Sequence, residues 1–121
     1  VENAFAVARA YGGDYRVTFD RGYIAGHNDP RVAGWLSESA ARFLGNDAID
    51  TTRSGMGAED FSYMSQRAPG AMLMLGAALD DGIKRGHHTP LFDIDERTLP
   101  TGAAILADTA VRFLKGENRL S

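Results

Sequence analysis

The sequence has 121 residues, a formal net charge of −3, 44% hydrophobic residues and no cysteine. These values predict a globular chain with a core of its own, and they exclude disulfides and thiolate metal sites. Interspersed acids and bases argue against nucleic-acid or membrane-surface partners, and no apolar run approaches the ~18 residues of a membrane span. Because cysteine-free chains suit a reducing compartment, we predict a cytoplasmic protein.

The first 24 residues predict a helix followed by a strand with one buried face. Apolar residues recur at helical spacing over residues 1–11, and Gly12 and Gly13 end that helix. Residues 15–20 then alternate apolar and polar side chains, which is typical of an antiparallel strand. Because Val1 already lies within a helical pattern, we expect the sequence to be a piece of a longer protein.

The next helix is the most regular one in the first half of the chain. Either Asn28 or Asp29 can cap its N-terminus, and Pro30 suits the first helical position because its missing N–H would be unpaired there. An apolar stripe at helical spacing follows, and Gly45 ends the helix.

The remaining elements alternate between strand and helix. We predict a short strand over residues 48–52, a short helix opened by Glu59 and Asp60, and a strand over residues 71–75 that is covered on both faces. A last amphipathic helix runs from about residue 99 to 115. From residue 28 onward the order is helix, strand, helix, strand, helix, which indicates an α/β fold.

The loop Gly86–Glu96 concentrates the side chains that bind metals near neutral pH. Two adjacent histidines, His87 and His88, are followed by three carboxylates. Adjacent side chains in an extended segment point to opposite sides, so at most one of these histidines is a direct ligand. A loop histidine taken alone is more often solvated or hydrogen-bonded than bound to a metal.

The acids Glu59 and Asp60 have two interpretations. Acids in the first turn of a helix are stabilised by its free N–H groups, which makes capping the simpler reading. The alternative is that glycines such as Gly57 let the backbone approach a ligand while the acids face a cleft. The same two readings apply to the acids before the last helix, Asp93, Asp95 and Glu96.

The inventory of possible ligands limits what these residues can do alone. A catalytic zinc ion needs about three protein ligands and an open position. Apart from the adjacent pair, the only histidine is His27, which is most simply part of a turn. Phosphate loops, dinucleotide-binding glycine motifs and His-Glu-x-x-His pairs are missing. We therefore expect no complete metal site within this chain.

A series of short motifs resembles one enzyme family. The motifs are Gly57-Ala58-Glu59-Asp60-Phe61-Ser62, Pro69-Gly70-Ala71, Leu75-Gly76, His88-Thr89-Pro90, Phe92-Asp93-Ile94-Asp95-Glu96, and Leu99 followed by Gly102-Ala103-Ala104. Their order and spacing are similar to the C-terminal part of metal-dependent amidohydrolases and peptidases. That family includes hippurate hydrolase, N-acyl-amino-acid hydrolases and plant indole-acetyl-amino-acid hydrolases, and is related to aminoacylases and carboxypeptidases.

The resemblance implies a zinc-exopeptidase-like α/β catalytic domain interrupted by an α+β lid domain that mediates homodimerisation. Residues 1–24 would be the last helix and strand of the lid. Residues 25–121 would be the C-terminal part of the catalytic domain.

The resemblance also implies a function. The intact enzyme would bind two divalent ions (zinc, manganese, cobalt or nickel) and cleave the amide bond of N-acyl amino acids or small peptides. His88 would be a metal ligand, and Gly57, Glu59 and Asp60 would line the substrate cleft. The other ligands and the glutamate base have no counterpart here, so no catalytic residue is assigned. The isolated chain should be inactive and should bind no metal tightly.

Two other functions remain open. The chain could be a stand-alone, non-catalytic module that binds a metal or a small molecule through the same loop. It could also be an interaction domain that pairs with a partner through the exposed edge of strand 15–20.

Overall fold

The computed structural model describes residues 2–52, 55 and 57–120. The described chain contains four α-helices: α1 Glu2–Ala10, α2 Pro30–Leu44, α3 Phe61–Ser65 and α4 Leu99–Leu114. Two short 3-10 helices cover Asn46–Ala48 and Glu96–Thr98. The predicted helices are therefore confirmed, except that Val1 lies outside the described residues. Within those residues, no helix combines the length and apolar character that crossing a membrane requires.

Helix α2 begins and ends at the residues that the sequence indicated. The Asp29 carboxylate accepts hydrogen bonds from the backbone N–H groups of Arg31 at 2.9 Å and Val32 at 3.4 Å. Pro30 occupies the first position, and Gly45 closes the helix with φ 85°, a conformation that glycine adopts without strain. Of the two predicted caps, Asp29 is the one that acts.

We expect Asp29 to make folding depend on pH. The side-chain hydrogen bond from Arg31 lowers the pKa of Asp29 from its ordinary value of 3.8 to about 2. A carboxyl whose pKa is lower in the folded state stabilises the fold above its unfolded pKa, and this contribution is lost as the pH falls from about 4 to about 2. Urea unfolding across that range should show a smaller loss for Asp29→Asn than for the wild type. Parallel pH profiles for the two proteins would contradict this role.

The core lies where α2 packs against α4. Leu36 and Ala40 of α2 and Ile105 of α4 are the buried apolar side chains, and Ile105 is fully buried. Four half-buried residues pack around them: Val32, Ile49, Ala71 and Leu73. The segment 71–75 therefore lies against the same pair of helices.

The approach of α4 to this segment depends on a glycine. A Cβ atom at Gly102 would lie 3.1 Å from Cδ2 of Leu75, which is closer than an ordinary carbon–carbon contact. Gly102 thus lets the helix backbone come near the segment, and it is one of the residues in the motifs noted above.

The predicted strands are not formed as hydrogen-bonded strands in the part of the chain that the structure describes. In residues 71–75 only one face is covered, because Leu73 and Leu75 are half-buried whereas Met72 and Met74 are 40% and 76% exposed. The prediction of two covered faces was therefore wrong for this chain. A strand needs a neighbour that supplies hydrogen bonds along its length, and the described residues supply only a few.

The first helix packs locally rather than into the core. The ring of Phe5 stacks on Tyr15 at 4.9 Å between centroids, and the Arg9 guanidinium lies 5.0 Å from the same ring. Gly12, with φ 78°, follows the end of α1, as predicted. No residue before Val32 belongs to the core or the side chains packed around it, among the residues described.

Candidate functional site

His88 lies in a tight surface turn whose shape is fixed by local hydrogen bonds. The Thr89 hydroxyl donates to the carbonyl of Gly86 at 2.9 Å, and the Phe92 N–H donates to the carbonyl of Thr89 at 3.1 Å. Further along, the Asp95 N–H donates to the carbonyl of Ala77 at 2.9 Å. The loop is therefore held at both its turn and its far end.

The backbone of His88 adopts a left-handed conformation, with φ 60°. It is the one described residue other than glycine with positive φ. Histidine tolerates this region better than most residues, but the conformation still carries strain, and strained positions cluster at functional sites. This conformation has no signal in the local sequence.

The two adjacent histidines have different surroundings. The ring centroids of His87 and His88 are 6.5 Å apart with planes at 73°, so the rings do not stack. His87 meets the ring of Phe92 edge-on at 5.7 Å. His88 is exposed, and its ring nitrogens have no hydrogen-bond partner among the described residues. The His88 ring is therefore accessible to an ion.

The carboxylate of Asp95 is used for structure. It accepts a hydrogen bond from the Arg97 N–H at 3.0 Å and pairs with the Arg97 guanidinium, with Nη2 and Oδ2 2.7 Å apart. The side-chain hydrogen bond from Arg97 lowers the pKa of Asp95. Capping is thus the correct interpretation for this acid. Its neighbour Asp93 accepts a hydrogen bond from the Ile94 N–H at 2.9 Å.

Glu59 and Asp60 behave differently from Asp95. Both are exposed, and the Asp60 side chain makes no capping hydrogen bond to α3, although it stands immediately before that helix. Their backbone carbonyls, rather than their carboxylates, accept hydrogen bonds from Ser62 at 3.2 Å and Tyr63 at 3.0 Å. Gly57, just before them, is exposed as well. The Asp60 carboxylate is therefore not used as a helix cap.

No three His, Asp or Glu side chains lie close enough together to hold one ion in residues 2–52, 55 and 57–120. A catalytic zinc ion needs about three protein ligands. His88 fits the requirements of a single ligand, because an exposed imidazole with no competing hydrogen bond is available for coordination. The described residues can hence supply part of a coordination sphere.

Comparison with known proteins identifies the family. The sequence profile of the peptidase family M20/M25/M40 matches residues 5–112. The chain belongs to this family. M20 proteins are hydrolases and are generally metal-dependent, so the resemblance seen in the short motifs is confirmed.

Several relatives carry names that describe amide cleavage. YhaA of Bacillus subtilis, named as an amidohydrolase, is 32% identical over 108 residues, covering 88% of this chain and 27% of the relative. IAA-amino acid hydrolase ILR1-like 2 of Arabidopsis thaliana is 42% identical over 72 residues, covering 60% and 16%. N-acetyldiaminopimelate deacetylase of Pediococcus pentosaceus is 29% identical over 103 residues, covering 83% and 23%. The matches thus span about a quarter or less of the length of each of these relatives.

No solved structure matches the chain. Family membership therefore rests on the sequence profile and the named relatives.

Proposed function

We propose that the whole protein containing this chain is a metal-dependent amidohydrolase that cleaves the amide bond of N-acyl amino acids or small peptides. The observation that carries this proposal is the family match over residues 5–112. The named substrates of the relatives, indole-acetyl amino acids and N-acetyldiaminopimelate, are both N-acylated amino acids.

Within that enzyme, we propose His88 as one ligand of a pair of divalent ions, which are zinc, manganese, cobalt or nickel. Its exposed ring and strained backbone support this role. When bound, such ions polarise the amide carbonyl and lower the pKa of a bound water. The remaining ligands and the general base are proposed to come from residues outside this sequence, so no catalytic residue is assigned here.

The segment Gly57–Asp60 is proposed to line the substrate cleft. The exposure of Gly57, Glu59 and Asp60 supports this role, as does the fact that the Asp60 carboxylate accepts no capping hydrogen bond from α3. Carboxylates left free at the surface can accept hydrogen bonds from N–H groups of a bound substrate.

We assign the two parts of the chain to different domains. Residues 1–24 are proposed to be the end of a lid domain through which the enzyme forms a homodimer, and residues 25–121 the C-terminal part of the catalytic domain. The absence of residues before Val32 from the described core supports this division. We further propose a cytoplasmic location, with neither nucleic acid nor membrane as a partner. The isolated chain is proposed to be inactive.

Hydrolysis assays on the whole protein test this function. We expect release of the free amino acid from N-acyl amino acids or dipeptides, loss of activity with a chelator, and recovery on adding zinc or manganese. Hydrolysis that survives complete removal of metal would contradict the proposal. Tight stoichiometric metal binding by the 121-residue chain alone, measured by calorimetry, would instead favour a stand-alone binding module.

A further inference from the structure

The geometry points to Asn28 as a positioning residue that holds the proposed substrate-binding segment Gly57–Asp60 in place. This inference rests on the proposed function of that segment. Asn28 precedes α2, and the sequence allowed it only a capping role, which Asp29 performs instead. The Asn28 side chain instead forms hydrogen bonds with a distant part of the backbone, which neither a helix cap nor a solvated turn residue would do.

The Asn28 amide pairs with a backbone 44 positions further along the chain. Its Nδ2 donates to the carbonyl of Met72 at 2.9 Å, and the Met72 N–H donates to its Oδ1 at 2.9 Å. The Asp29 N–H adds a third hydrogen bond, to the carbonyl of Gly70 at 2.8 Å. The side chain thus makes the two hydrogen bonds that a neighbouring strand would make with Met72.

Only a primary amide can donate and accept in this way. A carboxylate of the same shape accepts but cannot donate, so it would place an oxygen against the carbonyl oxygen of Met72. Asparagine is therefore specified by chemistry at position 28, whereas several residue types serve as a helix cap.

The segments on either side of these hydrogen bonds lie close to the beginning of α3. A Cβ atom at Gly70 would lie 3.2 Å from Cζ of Phe61, and a Cβ atom at Gly26 would lie 3.4 Å from Cβ of Ser62. Phe61 is half-buried and Ser62 is buried. Because Phe61 and Ser62 directly follow Glu59 and Asp60, this packing connects the hydrogen bonds of Asn28 to the position of the two exposed carboxylates.

The test compares Asn28→Asp with the matched control Asn46→Asp in the whole protein. Asn46 is exposed, and its side chain has no hydrogen-bond partner among the described residues, so it undergoes the same chemical change without losing a contact. The assays use saturating metal and a temperature at which all variants are folded. We expect Asn28→Asp to raise KM about tenfold and to leave kcat within about twofold. This is the result expected when an interaction is lost that stabilises the bound substrate and the transition state equally. Asn46→Asp should leave both constants unchanged.

A triple variant separates positioning from a general loss of stability. If Asn28 acts through the acids, adding Asn28→Asp to a Glu59→Gln, Asp60→Asn background should raise KM by less than about twofold, because coupled residues are not additive. An equal KM for Asn28→Asp and wild type, or full additivity in the triple variant, would overturn the inference.

Hydrogen exchange tests the inference independently of activity. Asn28→Asp should speed exchange of the Ser62 and Tyr63 N–H groups about tenfold while leaving Gly45, at the end of α2, unchanged. If the whole protein hydrolyses no amide, the proposed function fails, and this measurement still decides whether Asn28 positions the segment. Unchanged exchange at Ser62 and Tyr63 would show that it does not.

Discussion

Replacing His88 with glycine in the whole protein is expected to remove bound metal and hydrolysis together. Loss of a residue that only supports a metal ligand typically costs 10–100-fold, so loss of a direct ligand should lower kcat/KM by at least about 100-fold. Metal content by atomic absorption and amide hydrolysis should fall in parallel. Glycine is the informative choice because it adopts φ 60° without strain.

Two comparisons isolate the contribution of the His88 ring. His88→Gly should be at least as resistant to unfolding as the apo wild type, whereas His88→Ala should be less so, because alanine is disfavoured at positive φ. The neighbouring variant His87→Ala removes the same ring from the residue that contacts Phe92, and it should retain most of the metal. Full activity and normal metal content in His88→Gly would remove the assignment.

Replacing Ile105 with alanine is expected to have the largest effect on stability. Ile105 is the fully buried apolar side chain at the contact between α2 and α4. Truncating a buried isoleucine to alanine costs about 2–5 kcal/mol, because apolar contacts are lost and a cavity remains. The free energy of unfolding from urea titration measures this loss.

The adjacent residue provides the control for Ile105. Leu106 follows it on the same helix but is 58% exposed. Leu106→Ala also removes apolar atoms from α4 and should change the free energy of unfolding by no more than about 0.5 kcal/mol. Equal destabilisation by both substitutions would place the core elsewhere.

The helices could be predicted because their signals are local. Asp29, Pro30 and Gly45 act within the turns that they begin or end, so the bounds of α2 can be read from neighbouring residues. The same holds for Gly12 at the end of α1 and for the proline in the first turn of α4.

The predicted strands are not formed because strand formation depends on distant partners and not on the local sequence alone. The continuous apolar run in residues 71–75 predicted a strand covered on both faces, but whether a face is covered depends on what packs against it. The α2–α4 pair covers the face of Leu73 and Leu75, and the face of Met72 and Met74 stays exposed in the described chain. The pairing of Asn28 with Met72 crosses 44 positions and has no local signal.

The candidate site was predictable in its residue types and less so in their roles. Capping and cleft-facing acids look alike in sequence, yet Asp95 caps a helix and Asp60 does not. The chemistry of imidazole singled out the loop around His88. The choice of His88 over His87 came from the resemblance, and the positive φ of His88 became visible only in three dimensions.

Anomalous diffraction at the zinc edge, from crystals of the whole protein grown with zinc, measures most directly whether the His88 ring holds a metal ion. We expect an anomalous peak about 2.0–2.1 Å from one ring nitrogen of His88, with further ligands from residues outside this sequence. A fully occupied zinc site in the cleft whose ligands do not include His88 would contradict the assignment.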